Sequence, residues 1–343
     1  MIFMSEEIKE PLSPSPENEQ NTRLDALNLQ EQGSEANDKN TANIRGETSP
    51  AQENISLKKP RVWEIDFLRG FCVYLMILDH LAILIAGWFA PTWYGLDVAA
   101  YDSFSRFCLF WATESLARKI LHPLAVFVFF SISGICCSFS RSNLKRGGLL
   151  AFVALMYSLV TYGVQTLVFD DVSVFHPGSV FVSFGVLHFL AVCILAYAIL
   201  QLATRKTKWQ KWIIMGVSAA IIVVVLCLYF CYTPPENTPK FLGIIFPPKD
   251  IRGNFTAFYD QADISPGYLF SIIPYAAFFF AGTLVAPLVY PSRRSLLKKL
   301  DGKWHAPFTF VGRYAIFFYL AHVVVLAGIL EIVTYAITGT WGI

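Results

Sequence analysis

Seven largely apolar stretches, each about 20 residues long, constrain this chain more than any other feature. They run over 63–88, 121–140, 147–168, 178–203, 211–232, 267–290 and 308–335. A helix of about 20 apolar residues spans the roughly 30 Å hydrocarbon core of a bilayer. The chain has 343 residues, of which 55% are hydrophobic and 15% charged, so it is too apolar for a soluble domain of this length. The sequence predicts an all-α, polytopic transmembrane helix bundle of about seven spans, with an eighth as the alternative.

The first 60 residues differ in composition from everything that follows. They are rich in Glu, Asn, Gln, Ser and Pro and nearly free of aromatic residues, which is typical of a disordered tail. The apolar start is short and is followed at once by Glu6 and Glu7, unlike a signal peptide. We therefore predict a disordered polar tail over 1–60 and a membrane domain over 61–343.

The basic residues predict the orientation of the bundle. Four basic groups fall on one side if there are seven crossings, and they are Lys58, Lys59 and Arg61; Arg141, Lys145 and Arg146; Arg205, Lys206, Lys208 and Lys211; and Arg293, Arg294, Lys298, Lys299 and Lys303. The positive-inside rule then puts the N-terminus in the cytosol. Arg106, Arg118 and Lys119 fall on the outer side, in an amphipathic stretch over 104–120. Either an interfacial helix uses them or an eighth crossing is present.

An arginine, Arg69, and a histidine, His80, lie eleven residues apart inside the first apolar run. At about 100° per residue, eleven steps leave a remainder of roughly 20°, so both side chains project from one helix face about 16 Å apart along the axis. Asp66 lies three residues before Arg69, a spacing that allows an ion pair. Ionisable groups at membrane depth are costly and normally face a protein interior or a wet cavity. We therefore predict that Asp66, Arg69 and His80 form a functional polar strip on one face of this helix. The alternative for Asp66 and Arg69 is that they only anchor the inner end of the helix.

Two other histidines fall near mid-membrane, His188 in the fourth span and His322 in the seventh. Together with His80 they suggest one shared cavity, although a lone intramembrane histidine can instead hydrogen-bond a neighbouring helix. Asp79 is adjacent to His80, but neighbouring residues on a helix point about 100° apart. Its role in orienting that histidine is therefore the weaker of these expectations.

Cationic side chains near the predicted inner side are candidates for binding phosphate. Arg141, Lys145 and Arg146 lie in the loop that follows the second span. Arg313, near the inner end of the seventh span, can join Arg69 in a cationic mouth. Paired Arg donors suit phosphate, whereas the alternatives are a topology signal for the loop and snorkelling for Arg313.

The second span contains a cluster of small residues, including Ser131, Ser133 and Gly134, for which close helix packing is the better interpretation. The seven cysteines have spacings that match neither a zinc site nor a disulfide framework. We expect them to be apolar packing residues. No spacing predicts a metal site, a permanently bound cofactor or a nucleic-acid partner.

At these residues the chain resembles the integral-membrane acyltransferases. In that group an Asp-x-x-Arg is followed, eleven residues after the arginine, by a functional histidine, as in Asp66, Arg69 and His80. The stretch 129–134 is similar to the group's next motif. This resemblance implies structural or positioning roles for Asp66, Ser133 and Gly134.

Within that superfamily the chain most resembles a bacterial branch similar to the heparan-alpha-glucosaminide N-acetyltransferase catalytic domain. The loop 138–146 and the blocks at 185–188 and 312–322 also look like that branch, and the resemblance extends over roughly 61–330. The eukaryotic members place their catalytic histidine in the outer loop after the first helix. No histidine is present over 90–120, so His80 takes that role by analogy.

The resemblance implies transfer of an acyl group, usually acetyl, from cytosolic acyl-CoA to a saccharide or similar cell-envelope acceptor at the outer face. The residues that would hold the CoA phosphates are Arg69, Arg141, Lys145, Arg146 and Arg313. The residues that would act at the reacting centre are His80, Asp79, His188 and His322, with His80 as general base on the acceptor. A covalent acetyl-histidine intermediate is left open.

Two other functional classes are compatible with the sequence. A transporter or flippase would use the histidines to relay protons. A non-catalytic membrane protein would use the same scaffold for binding or assembly. In each case we expect a multi-pass protein of the cell membrane, and the sequence does not determine whether it forms an oligomer.

Overall fold

The computed structural model describes residues 62–93, 99–167, 181–232, 244–246 and 270–341. Within these ranges the chain is all-α, and seven helices are long and apolar enough to cross a membrane. The predicted polytopic helix bundle with seven spans is thereby confirmed, and the described ranges contain no eighth candidate span. The predicted tail over 1–60 lies outside the described residues.

The described α-helices of eight or more residues are numbered in chain order, and the four-residue helix Ala90–Trp93 is left unnumbered. They are α1 (Trp63–Leu84), α2 (Ala99–Thr113), α3 (Leu116–Phe139), α4 (Asn143–Leu167), α5 (Val186–Ala203), α6 (Gln210–Cys231), α7 (Ile272–Val289), α8 (Ala306–Arg313) and α9 (Ala315–Thr338). A π-helical turn, Ile85–Phe89, extends α1, so that the first span reaches 27 residues.

The seventh predicted span, 308–335, is two helices rather than one. Helix α8 ends at Arg313 and α9 begins at Ala315, with Tyr314 between them at φ −106° and ψ 26°. The backbone of α8 contacts α1 at Gly312, so α8 is held by a neighbour of its own. The apolar pattern runs through both helices and does not reveal this break.

The fourth predicted span, 178–203, begins later than expected, at Val186. The preceding backbone is bound by α4 instead of joining the helix. Ser158 Oγ donates to Val182 O at 2.7 Å, and Val182 N donates to Thr161 Oγ1 at 3.2 Å. These bonds satisfy the backbone groups of Val182, which a longer helix would otherwise have paired.

The predicted amphipathic stretch 104–120 divides between α2 and the first turn of α3. The division falls at Ser115, whose hydroxyl caps α3 by accepting from Arg118 N. Helix α2 buries Ser105 and Cys108 and exposes Phe104 on another face. At 15 residues it is too short to cross a bilayer as a helix of its own, so it is not an eighth span, and its interfacial location stays a prediction.

Small residues allow α3 and α7 to touch backbone to backbone. A Cβ atom on Gly134 would overlap the Phe279 carbonyl, and one on Gly282 would overlap the Ser131 carbonyl. Ser131 Oγ also donates to Phe278 O at 3.0 Å across the same contact. The packing interpretation of this cluster is confirmed for Ser131 and Gly134.

Helices α1 and α8 meet in the same way. A Cβ atom on Gly70 would overlap the Phe308 carbonyl, and one on Gly312 would overlap the Asp66 carbonyl. Ser133, by contrast, makes no bond across a helix contact among the described residues, because its hydroxyl donates at 3.0 Å to Phe129 O in its own helix.

Several helix termini are joined at one end of the bundle, which we call the basic end. Asn143 Nδ2, at the start of α4, donates to Cys137 O near the end of α3 and to Gln201 Oε1 near the end of α5, at 2.7 and 3.1 Å. Arg293, beyond α7, donates to Phe139 O at 3.2 Å. Glu64, at the start of α1, accepts from Leu296 N at 2.7 Å. The described members of the basic groups therefore lie at one end.

Replacement of Gly282 by alanine tests the close contact of α3 and α7. The added methyl group meets a backbone oxygen that cannot rotate away, so we expect the free energy of unfolding to fall by about 1–3 kcal/mol. Gly216→Ala in α6 is the control, because a Cβ atom there has no neighbour within 4 Å. Thermal unfolding in micelles measures both variants, and equal melting temperatures would contradict the proposed packing.

Candidate active site

A cavity of about 440 Å³ is lined mainly by α1, α2 and α3, with Val186 of α5, Phe270 and Tyr319 of α9 completing the wall. Its lining is predominantly apolar. Along α1 the lining extends from Cys72 to Ala82, which corresponds to about 15 Å of helix. The polar or ionisable side chains in the wall are those of Asp79, His80, Trp111, Arg118, His122, Tyr319 and two cysteines, Cys72 and Cys108. Burial raises the pKa of the Cys108 thiol, so this group lies in the wall in its neutral form.

His80, which lines the cavity, is in ring contact with His322 of α9. Their ring centroids lie 4.8 Å apart at an interplanar angle of 84°, an edge-to-face arrangement. Two of the three histidines that were expected to share a cavity wall therefore come together. They are separated by 242 residues in the sequence, so only the bundle could bring them into contact.

The hydrogen bonds of both rings fix their tautomers. His80 Nδ1 lies 2.9 Å from Met76 O, and His322 Nδ1 lies 2.7 Å from Tyr319 O. A backbone carbonyl can only accept, so each Nδ1 carries the proton and each Nε2 presents a lone pair. Buried His322 Nε2 has no hydrogen-bond partner within the described part of the chain. Of the two rings, that of His80 lines the cavity.

Asp79 pairs with Arg118 and does not orient His80. Arg118 Nε donates to Asp79 Oδ1 at 2.7 Å, and its second nitrogen donates to Oδ2 at 3.2 Å. Trp111 Nε1 also donates to Asp79 Oδ1, at 3.1 Å. The side chains of Asp79 and Arg118 are only 13% and 9% exposed, respectively. This corrects the expected role of Asp79, because adjacent helical positions point apart and the carboxylate faces α3.

Two residues that were not predicted from the sequence, His122 and Trp111, line the cavity beside this ion pair. His122 lies four residues after Arg118, so both project from one face of α3. The sequence signal that could have revealed His122 is its position on the same helix face as Arg118, because Arg118 was already unusual as a cation on the side opposite the other basic groups. The ion pair with Asp79 explains why Arg118 lies on that side.

His188 lies apart from the paired imidazoles and has different partners. Gly185 N donates to His188 Nδ1 at 3.3 Å, which caps the start of α5. His188 Nε2 then donates to Ser158 Oγ at 3.0 Å, and that hydroxyl donates to Val182 O. Both ring nitrogens are therefore in use. Of the three histidines expected to share a cavity, only His80 lines it, and His322 contacts the His80 ring.

Arg69 and Arg313 lie near the basic end and share one carboxylate. Arg69 donates to Asp66 Oδ1 at 3.1 Å, as their spacing predicted, and to Gly312 O at 3.2 Å. Its other terminal nitrogen lies 2.7 Å from Cys136 Sγ. Arg313 Nε lies 3.8 Å from Asp66 Oδ2 and is 49% exposed. Two guanidinium groups and one carboxylate leave this cluster with an excess of positive charge.

The remaining predicted cations, Arg141, Lys145 and Arg146, are exposed at the basic end. Arg141 follows Cys136 by only five residues, so the loop begins close to the Arg69 cluster. The cavity lining on α1 begins at Cys72, one helical turn beyond Arg69. The cavity lining thus begins near the cationic end and includes one imidazole of the pair, that of His80.

Loss of Arg118 tests the buried ion pair. Arg118→Met leaves the Asp79 carboxylate without its cation, and we expect the free energy of unfolding to fall by about 3–5 kcal/mol. Arg106→Met is the matched control, since that arginine is 67% exposed, pairs with Asp102 and should contribute about 0–1 kcal/mol. Chemical denaturation in micelles measures both, and similar losses would refute a structural role for the buried pair.

The comparisons with known proteins agree with the geometry. The chain matches the family model described as "Heparan-alpha-glucosaminide N-acetyltransferase, catalytic" over residues 61–324. Comparison with the curated proteins and with the solved structures gave no match. The matched range covers more than half of the chain and includes Arg69, His80, Arg313 and His322. The chain therefore belongs to the heparan-alpha-glucosaminide N-acetyltransferase catalytic family.

Proposed function

We propose that this membrane protein transfers an acetyl group from acetyl-CoA to an amine or hydroxyl group of a saccharide-like acceptor. The donor binds at the basic end, which faces the cytosol, and the acceptor comes from the opposite side. The observation that carries this proposal is the apolar cavity that has His80 in its wall and begins one helical turn from Arg69. Membership of an acetyltransferase family supports the reaction class.

The CoA phosphates are held by the cationic side chains of the basic end. Arg69 and Arg313 supply guanidinium donors beside a single carboxylate, Asp66, so the cluster retains positive charge for an anion. Asp66 positions both guanidinium groups. The exposed loop cations Arg141, Lys145 and Arg146 add long-range attraction.

The dimensions of the cavity suit the arm that links the CoA phosphates to the thioester. The lining on α1 begins one turn beyond Arg69 and includes His80, which lies eight residues, or about 12 Å, beyond Cys72. A pantetheine arm is slender and extends for more than this length. The thioester therefore reaches His80 while the phosphates stay at the basic end.

His80 acts as the general base. Its Nε2 lone pair takes the proton from the acceptor amine or hydroxyl as that nitrogen or oxygen attacks the thioester carbonyl carbon. The new C–N or C–O bond forms, the C–S bond breaks, and the sulfur leaves with the electron pair. His80 then returns the proton to the thiolate, which gives free CoA. His322 packs edge to face against the His80 ring and acts as a positioning residue.

Asp79 and His188 take other roles in this proposal. Asp79 holds Arg118 and so braces α1 against α3 at the level of His80. His188 caps α5 and uses both ring nitrogens, so we assign it no proton transfer. An acetyl-histidine intermediate at His80 Nε2 would use the same geometry, and trapping of labelled protein after acid quenching would detect it.

Replacement of His80 tests the general base. We expect His80→Gln to lower kcat for acetyl transfer by about 10²–10⁴-fold, because glutamine cannot take up the proton. His305→Gln is the control, since that histidine lies at the basic end against Trp63 and outside the cavity. Release of CoA thiol from purified protein in nanodiscs gives the rate. A His80→Gln protein with at least half of the wild-type kcat would overturn the assignment.

Replacement of Arg69 tests the donor site. We expect Arg69→Met to raise the Kd for acetyl-CoA roughly 10–100-fold, because charge-assisted hydrogen bonds to phosphate are lost. Lys208→Met removes the same charge from an exposed position at the same end and should leave the Kd within about twofold. Isothermal titration calorimetry measures both, and melting temperatures in the absence of ligand monitor folding. Equal affinities would contradict phosphate binding at Arg69.

A further inference from the structure

Four residues that line the cavity are also exposed on the surface of the bundle. They are Leu78 of α1, Phe104 and Phe107 of α2, and Leu121 of α3, with exposed fractions of 61%, 46%, 57% and 42%. We call this group the lateral mouth. All four are apolar, and they belong to the three helices that supply most of the cavity lining. The lateral mouth therefore opens sideways, between helices, rather than along the bundle.

The position of the lateral mouth along α1 places it within the hydrocarbon region. Leu78 lies eleven residues before the end of the first span at Phe89, or about 16 Å along the helix. Large apolar side chains exposed at this depth contact lipid chains in a membrane-spanning protein. The hydrocarbon of the bilayer is thus continuous with the inside of the cavity.

The chemistry inside the lateral mouth suits a hydrocarbon chain better than a free sugar. The Asp79 carboxylate and the Arg118 guanidinium satisfy each other, and the surrounding wall is predominantly apolar. A free sugar held only by this apolar part of the wall would lose the hydration of its hydroxyl groups without gaining enough partners. An alkyl chain has no such cost, and it would end beside His80, two residues beyond Leu78.

We propose that the acceptor is an amphiphile, in which a saccharide head with the reacting amine or hydroxyl is joined to a hydrocarbon chain that enters through the lateral mouth. This inference rests on the proposed function and names the class of its acceptor. The donor arm occupies the part of the cavity near Cys72, and the acceptor chain occupies the part between α2 and α3. The two substrates enter through different openings and meet at His80.

Two acceptors that differ only in their chain test the proposal. Full-length protein in nanodiscs is supplied with radiolabelled acetyl-CoA and with either dodecyl β-D-glucosaminide, below its micelle concentration, or methyl β-D-glucosaminide. We expect kcat/KM for the dodecyl compound to be at least tenfold higher, because its chain gains apolar contacts at the site. Equal rates, a preference for the methyl compound, or transfer to neither while acetyl-CoA binds would overturn the proposal.

Substitutions at the lateral mouth show whether the preference arises there. Leu78→Trp and, separately, Leu121→Trp add bulk at the opening, and each should bring the dodecyl-to-methyl ratio of kcat/KM toward one. Val224→Trp is the control, because Val224 is 55% exposed on α6 and does not line the cavity. That variant should keep the wild-type ratio. A ratio that changes equally in all three variants would refute the assignment to the lateral mouth.

A photolabel separates failure of this inference from failure of the proposed function. A long-chain alcohol with a mid-chain diazirine, added to phosphatidylcholine nanodiscs, should label the peptide 72–82 of α1 saturably and in competition with dodecyl β-D-glucosaminide. Labelling near Val224 should not saturate. Saturable labelling without acetyl-CoA binding would refute the transferase proposal alone. Acetyl-CoA binding with no saturable labelling of 72–82 would refute the amphiphilic acceptor alone.

Discussion

The structure depends on the cost of placing ionisable groups inside a bilayer. Each such group in the described spans must find a partner within the bundle or face a cavity, and the partners are what hold the helices in register. Arg118 reaches from α3 to Asp79 on α1, and Arg69 reaches from α1 to the α8 backbone and to Cys136 on α3. These contacts join α1 to α3 at two levels, and the Asp79–Arg118 pair is part of the cavity wall.

Close backbone contacts allow this arrangement to persist without a strong hydrophobic driving force between helices. Lipid chains are as apolar as the helix surfaces, so small residues and cross-helix hydrogen bonds must supply the specificity. Gly70 and Gly312 bring α8 onto α1, and Gly134 and Gly282 bring α7 onto α3. The contact of α8 with α1 also places Arg313 beside Asp66, so the same helix packing brings the cationic cluster together.

The sequence predicted the spans, the ion pair of Asp66 with Arg69 and the candidacy of His80, because these follow from local hydropathy and helical periodicity. It did not predict that His80 would meet His322 and that His188 would cap α5. All three histidines lie at similar depth, and depth alone cannot say which helices are neighbours. The break between α8 and α9 was not predicted for a related reason. Hydropathy reports how apolar a segment is, but it does not report which part of an apolar run is packed against another helix.

The sequence by itself determined a membrane-spanning helix bundle with a cationic end and buried imidazoles, because composition and periodicity act residue by residue. Only the tertiary structure decided which polar groups are already satisfied. Asp79 and His188 looked as available as His80, yet one is paired with Arg118 and the other with Ser158 and Gly185. Those partners come from other helices, and a linear pattern contains no information about the contacts that long-range packing creates.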